Sequence, residues 1–296
     1  LKAEWRVPTM ALTATATPRV ADEIVRSLAL DEPVAIDGSF LRSNLRFVVE
    51  HRSGDKDRTA RLIEVLDTLG LGRKGCEGRV VVYAGTRKRV AKVAGDLKKA
   101  GFRAGYYHAG RTDSARTRAQ EKFASGGHTV LVATTAFGMG IDHPDIRLVA
   151  HVQAPTTLEG YVQQAGRAGR DGERAFCLLL WSAGDSVSRS RLVGRNATPG
   201  QNAGWKALQD YVFATECRQA AISTWFTGRP GQPCGTCDAC ARPEKVAAMV
   251  AATRESLNSK RAERRRVRAE EDATTLAPDQ LDTVVAFVEG MRKPFG

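Results

Sequence analysis

Two sets of residues have the types and spacing to do chemistry. The first is Gly166-Arg167-Ala168-Gly169-Arg170, which sets two guanidiniums three positions apart among glycines. Arginine keeps its charge, matches phosphate as a planar fork, and stabilises charge that develops on a transferring phosphoryl group. The second is Cys217, Cys234, Cys237 and Cys240, in the pattern C-x16-C-x2-C-x2-C. Four thiolates complete a tetrahedral zinc shell and leave no open position for water, so such a site is structural and its module folds around the metal. A disulfide pair is the other reading of these cysteines. The metal-like spacing favours zinc and a reducing compartment. Cys76 reads as a bystander and Cys177 as core.

The elements that must position these residues are legible in the hydrophobic pattern. Val130–Ala133 and Leu148–Val152 are short apolar runs that suit buried strands. Ala136–Asp142 between them is glycine-rich, which lets backbone approach another molecule closely. Leu158–Ala165 has helical character and ends at Gly166, and Ala175–Trp181 is a last buried strand. Upstream, Leu45–Glu50, Arg79–Tyr83 and Ala104–Tyr107 read as strands, alternating with helical patterns over 59–69, 90–100 and 114–123. Strands alternating with helices indicate a parallel sheet covered on both faces. Thr9–Ala16 starts as a small, β-compatible run, and Thr17 is a candidate N-cap before Pro18.

Ligands of open parallel sheets sit at the carboxyl ends of strands. Thr86-Arg87-Lys88-Arg89 follows such an end and suits a phosphate backbone; the other reading is a solvated helix start. Asp142 is placed where a carboxylate can orient an arginine or an interdomain contact. Trp205–Phe226 supplies a helix that carries Cys217 and would tie it to the Pro233–Cys240 loop. Lys260–Arg268 holds six cations against Glu263, a phosphate-tracking run or simply a charged helix face. Pro278–Met291 reads as a new helix.

The bulk composition bounds the rest. The 296 residues suggest about two domains, and a hydrophobic content of 42% supports real cores. A formal charge of +12 and a pI near 9.7 are common in polyanion binders, though solubility alone also accounts for them. No apolar run approaches the ~20 residues of a membrane span, and no signal peptide is recognisable. The chain opens on Leu1 in mid-pattern, so it is expected to be a fragment.

Four stretches together carry a family resemblance. Phe137-Gly-Met-Gly-Ile-Asp-His-Pro-Asp-Ile-Arg147 and Tyr161-Val-Gln-Gln-Ala-Gly-Arg-Ala-Gly-Arg-Asp-Gly172 resemble motifs five and six of superfamily 2 helicases, and specifically of the RecQ family. Ala11–Thr17 resembles motif three. Ser39–Leu45 resembles the stretch linking the two motor domains, with Phe40, Arg42, Asn44 and Leu45 matching. His143 departs from the lysine of many relatives, which puts one basic contact in doubt.

The resemblance implies an α/β fold, a RecA-like parallel sheet with helices on both faces, followed by a helical zinc-binding module. It divides the chain into the tail of a first RecA-like domain (1–38), a second RecA-like domain (39–184), a zinc module (185–242) and a basic linker opening a further domain (243–296). It implies an ATP-dependent 3′–5′ DNA helicase of repair and recombination, acting on single-stranded and forked DNA without a membrane partner, in the cytoplasm or, in a eukaryote, the nucleus. Arg170 is then the first candidate for the arginine finger and Arg167 the second, with Gln163 beside them and Gly140 and Asp142 at the ATP-site face. Thr86, Arg87, Tyr107, His108 and Thr134 line the DNA track. Zn²⁺ is the structural metal; ATP and Mg²⁺ belong to the complete protein. The chain contains no G-K-[ST] and no Asp-Glu-x-His box, so this segment alone is expected not to hydrolyse ATP. A zinc-anchored DNA-binding module without a motor is the alternative. An RNA helicase shares the motor motifs, but the four cysteines argue against it.

Overall fold

Six strands of alternating inward and outward apolar residues form one parallel sheet, seen in a computed structural model of the chain. The structure describes residues 8–13, 16–36, 38–138, 142–194 and 196–274, with side chains as far as 267. Gly140 and the 278–291 helix therefore lie outside the described residues. The strands are β1 (Leu45–His51), β2 (Arg79–Tyr83), β3 (Ala104–Tyr107), β4 (Val130–Ala133), β5 (Ile146–His151) and β6 (Ala175–Trp181). Their order across the sheet is β1-β6-β5-β2-β4-β3, and every neighbouring pair is parallel. Central strands buried on both faces read as continuous apolar runs, which is why β2, β4 and β5 were recognisable.

Period-two alternation assigns the two faces. One face presents Val80, Val82, Val132, Leu148, Ala150 and Leu180, all fully buried. Helices α2 (Asp55–Thr68) and α3 (Arg87–Lys99) cover it with Leu62, Leu66, Val90, Val93 and Leu97. The other face presents Tyr83, His151 and Phe47; Phe47 and His151 meet Tyr161 of α5 (Leu158–Ala165), Tyr83 stacks on His151, and α4 (Asp113–Ala124) packs on β3. His151 is buried there, and its Nε2 donates to Gln164 Oε1 at 2.8 Å. Desolvation pushes its pKa down to about 4.

Before the sheet, α1 (Pro18–Ser27) starts at Thr17, which has extended backbone but makes no side-chain cap bond. The β-compatible run over 9–16 is not a strand where it is described. Residues 9–13 carry no regular structure, with Met10 and Leu12 79% and 83% exposed.

Beyond the sheet come α6 (Gly184–Val193), α7 (Pro199–Val212), α8 (Arg218–Thr227), the short α9 (Asp238–Ala241) and α10 (Pro243–Thr274). The single helix expected over 205–226 is two helices. The chain leaves α7 at Phe213 and re-enters helix after Cys217, which is the N-cap of α8 rather than a residue within a helix. α7 is fixed by a capping box, in which Thr198 and Gln201 satisfy each other's backbone N–H groups. Contacts divide the chain into one unit over 1–250 and a second over 251–296. In the second unit the described part of α10 is exposed along almost its whole length and carries the Lys260–Arg266 cations.

The outer edge of β1 is not open. Val49 N donates to Asp238 Oδ2 at 2.9 Å and His51 N to Met249 Sδ at 3.4 Å. Leu45 O accepts from Gln219 Nε2 at 3.1 Å.

Candidate functional site

Thr86, Arg87, Tyr107, His108 and Thr134 stand together at the carboxyl edge of β2, β4 and β3, three adjacent strands. Thr86 is the N-cap of α3 and its hydroxyl accepts from Arg89 N at 3.2 Å, so part of its role is local. Arg87 is exposed and lies across Gly110, where an added Cβ would fall 2.6 Å from its Nη1. Tyr107 packs on Phe137 with ring centroids 5.0 Å apart, and its carbonyl accepts from Thr134 N at 3.3 Å. Burial, with the charges of Arg87 and Arg111, holds His108 below the usual imidazole range. The edge thus offers guanidinium, hydroxyl and a half-buried aromatic ring, groups that suit a nucleic-acid backbone.

The arginine loop lies elsewhere on the sheet. Gly169 N donates to Ile146 O at 2.9 Å and Ala175 N to Asn44 O at 3.0 Å, so the loop turns at the amino ends of β5, β6 and β1. Its two arginines are not equivalent. Arg167 is buried, with its guanidinium against Gly138, where an added Cβ would sit 3.1 Å from Nη2. It also faces the Tyr83 hydroxyl, whose pKa burial raises to about 12 while Arg167 pulls it back. Arg170 reaches the surface, and its Nη1 donates to Asp142 Oδ1 at 2.6 Å. Gln163 is exposed, whereas the next residue, Gln164, is buried on His151.

The four cysteines meet. Their sulfurs all lie within 4.8 Å of one another, with Cys237 and Cys217 at 3.9 Å. A tetrahedral ion with metal–sulfur bonds of about 2.3 Å needs sulfurs roughly 3.8 Å apart, so the set fits one zinc ion. Backbone N–H groups already point at the sulfurs: Cys234 N lies 3.2 Å from Cys217 Sγ, and Arg218 N lies 3.4 Å from Cys237 Sγ. Burial pushes the Cys237 and Cys240 thiols up. Burial pushes Cys234 the same way, but hydrogen bonds from Thr236 and Cys237 bring it down to about 6.

Several residues that hold these sites together carried no sequence signal. Arg218 is fully buried, donating from Nε to Asp238 Oδ1 at 2.8 Å and from Nη1 to Tyr211 O at 2.7 Å. Arg58 and Asp185 form a buried pair at 3.0 Å, and Arg58 Nη1 also donates to Val152 O at 2.6 Å. A lone charged residue in a helix reads as surface, and only tertiary contact reveals otherwise.

The family described as "Helicase conserved C-terminal domain" matches residues 58–172. The chain is 38% identical to the ATP-dependent DNA helicase RecQ of Bacillus subtilis over 235 residues, covering 78% of this chain and 38% of that protein. It is 33% identical to the RecQ of Haemophilus influenzae, covering 80% and 38%. A mimivirus protein of Acanthamoeba polyphaga, R290, provisionally named an ATP-dependent RNA helicase, is 34% identical, covering 79% and 42%. The chain spans about two fifths of the length of these relatives. Among solved structures, Dbp5 of S. cerevisiae bound to RNA and ADP BeF3 is similar at a TM-score of 0.49 and 17% identity, covering 71% of this chain and 56% of that one. The matched region contains β2 to β5 and the Arg167–Arg170 loop, and the RecQ similarity runs across about four fifths of the chain; the chain belongs to the RecQ family of superfamily 2 helicases.

Proposed function

We propose that this chain is the arginine-bearing part of an ATP-driven motor that moves 3′ to 5′ along DNA and unwinds single-strand/duplex junctions, in repair and recombination, wherever the chromosome is kept. The observation that carries this reading is the placement of Arg170. It stands at the surface, on a loop fixed to the sheet, with a carboxylate holding its guanidinium. A guanidinium presented in that way can stabilise charge on the γ-phosphoryl of ATP and its Mg²⁺ bound by a facing domain. The group at the carboxyl edge of β2, β4 and β3 is the DNA contact on this reading, and a zinc ion on the four cysteines braces the module beside β1. Zinc supplies no chemistry here, because four thiolates close its coordination.

The test is DNA-stimulated ATP hydrolysis and strand separation by a polypeptide in which this chain follows a phosphate-binding domain. Stimulation by single-stranded DNA well above that by RNA supports the reading, and the reverse preference overturns the DNA assignment. The +12 formal charge and the converging four cysteines also suit a second reading, a zinc-anchored DNA-binding module with no motor. That reading requires DNA binding by a natural polypeptide with no ATP turnover.

A further inference from the structure

Two of the four interdomain-linker residues that matched the family pattern, Arg42 and Asn44, turn inward to a single point, the Gly169 carbonyl. Asn44 Nδ2 donates to Gly169 O at 2.7 Å, and Arg42 Nη2 donates to the same oxygen at 2.9 Å. Asn44 Nδ2 also reaches Glu173 O at 2.9 Å, and Arg42 Nη2 reaches Ala168 O at 3.3 Å. Gly172 N also donates to Gly169 O, at 3.1 Å, so three donors converge on this oxygen and fix the plane of the peptide joining Gly169 to Arg170. Gly169 has φ +53°, and an added Cβ would lie 2.6 Å from Asn44 Nδ2 and 2.7 Å from Glu173 O. Only glycine permits so close a clamp.

The clamp is itself held from the cysteine module. Gln219 Oε1 accepts from Arg42 N at 2.8 Å, and Gln219 Nε2 donates to Arg42 O at 3.0 Å. One side-chain amide thus brackets the main chain of Arg42 as a neighbouring strand would. Gln219 is 1% exposed and stands two residues after Cys217 in the first turn of α8. At the other end of α8, Phe226 stacks on Phe40 with centroids 4.7 Å apart and planes 8° from parallel.

We propose that Arg42, Asn44 and Gln219 are positioning residues that tie the Gly166–Arg170 loop to the four-cysteine module, so that metal occupancy sets the placement of Arg170. The path runs from the sulfurs through Cys217 to Gln219, across to Arg42 and Asn44, and into the Gly169 peptide. Its kinetic consequence rests on the reading of Arg170 given above; its structural consequence does not. A misplacement of about 1 Å at a reacting group lowers rates about 100-fold.

The test uses hydrogen exchange of segment 166–173 in the metal-loaded chain. Asn44→Asp keeps the shape and replaces the donor with an acceptor facing two carbonyls; Gln219→Glu removes both donations to the main chain. Each is expected to speed exchange of 166–173 by about tenfold or more while β2, β4 and β5 keep their protection. Gly169→Ala disturbs the same clamp without touching Asn44 and serves if Asn44→Asp does not fold. Stripping metal from the wild type is expected to speed exchange in 166–173, and to add little in Asn44→Asp. Unchanged exchange in folded variants, or a loop indifferent to metal while α8 loosens, overturns the proposal. In a polypeptide that hydrolyses ATP, Asn44→Asp is expected to lower kcat with DNA affinity retained. If kcat is retained although Arg170→Ala abolishes it, the positioning role is overturned. If Arg170→Ala also retains turnover, the motor reading fails and the exchange result alone decides the clamp.

Discussion

Asp142 Oδ1, just before β5, accepts a hydrogen bond at 2.6 Å from Arg170 Nη1 in the loop after α5. Both side chains are substantially exposed, at 80% and 39%, so the pair contributes little to folding. Its effect is directional: it holds the guanidinium on one side of the loop. The partner of that guanidinium can then change when a phosphate arrives.

Arg170→Ala in an ATP-hydrolysing polypeptide is therefore expected to lower turnover by about 10³-fold or more while DNA affinity is kept. Asp142→Asn retains a hydrogen-bond acceptor and is expected to fall well short of that loss. Steady-state ATP turnover and fluorescence-anisotropy binding measure the two quantities. A variant lacking Arg170 that hydrolyses ATP normally would refute the role.

Metal analysis is expected to find one zinc per chain. Cys237→Ser, at a fully buried sulfur, should bind far less and lose the near-ultraviolet signature of the Tyr161–Tyr211 contact, 5.3 Å between centroids. Cobalt substitution, read by thiolate charge-transfer absorption, distinguishes four sulfur ligands from fewer.

All five histidines have pKa values held below the imidazole norm, with burial the leading cause for each. The folded chain then binds fewer protons than the unfolded one in mildly acid solution. Stability should fall as pH drops from about 6.5 toward 4, and His151 contributes nothing further below its folded pKa of about 4. His151 alone accounts for about 3 kcal/mol of that loss. His151→Gln, which keeps a donor for Gln164, should flatten the acid limb of a Tm-against-pH curve.

Removing Asp185 leaves the Arg58 guanidinium buried beside Val152 O and Ser182 with only the exposed Asp55 carboxylate, 4.0 Å away, as counter-charge. Asp185→Ala should destabilise by about 3–5 kcal/mol in urea unfolding, whereas Arg58→Met with Asp185→Leu should recover much of it. Equal losses in the single and double variants would mean that packing rather than charge is at stake.

The strands and the short helix before the arginine loop were legible because each is an apolar run bounded by glycine or a cap. Leu158–Ala165 and Ala175–Trp181 were readable to the residue. The 205–226 stretch was not, since helical periodicity continues through the break at Phe213–Cys217 and only the sulfur cluster forces the turn. The cysteines announced themselves by spacing, and their convergence follows. The difference between Arg167 and Arg170 could not be read, because both follow a glycine in the same loop and their burial is set by what folds over them. Arg42 and Asn44 were visible as a pattern, but the carbonyl they share lies about 125 residues away.

The seal along β1 has a consequence for the chain as a population. An edge strand left bare offers its row of N–H and C=O groups to any other strand it meets. Here that row is occupied by Asp238, Met249 and Gln219, and two of these three stand within two residues of a cysteine ligand. Demetallation would free β1 to recruit a second copy edge to edge, so metal starvation would show first as concentration-dependent oligomers seeded at Val48–His51, before the central sheet unfolds.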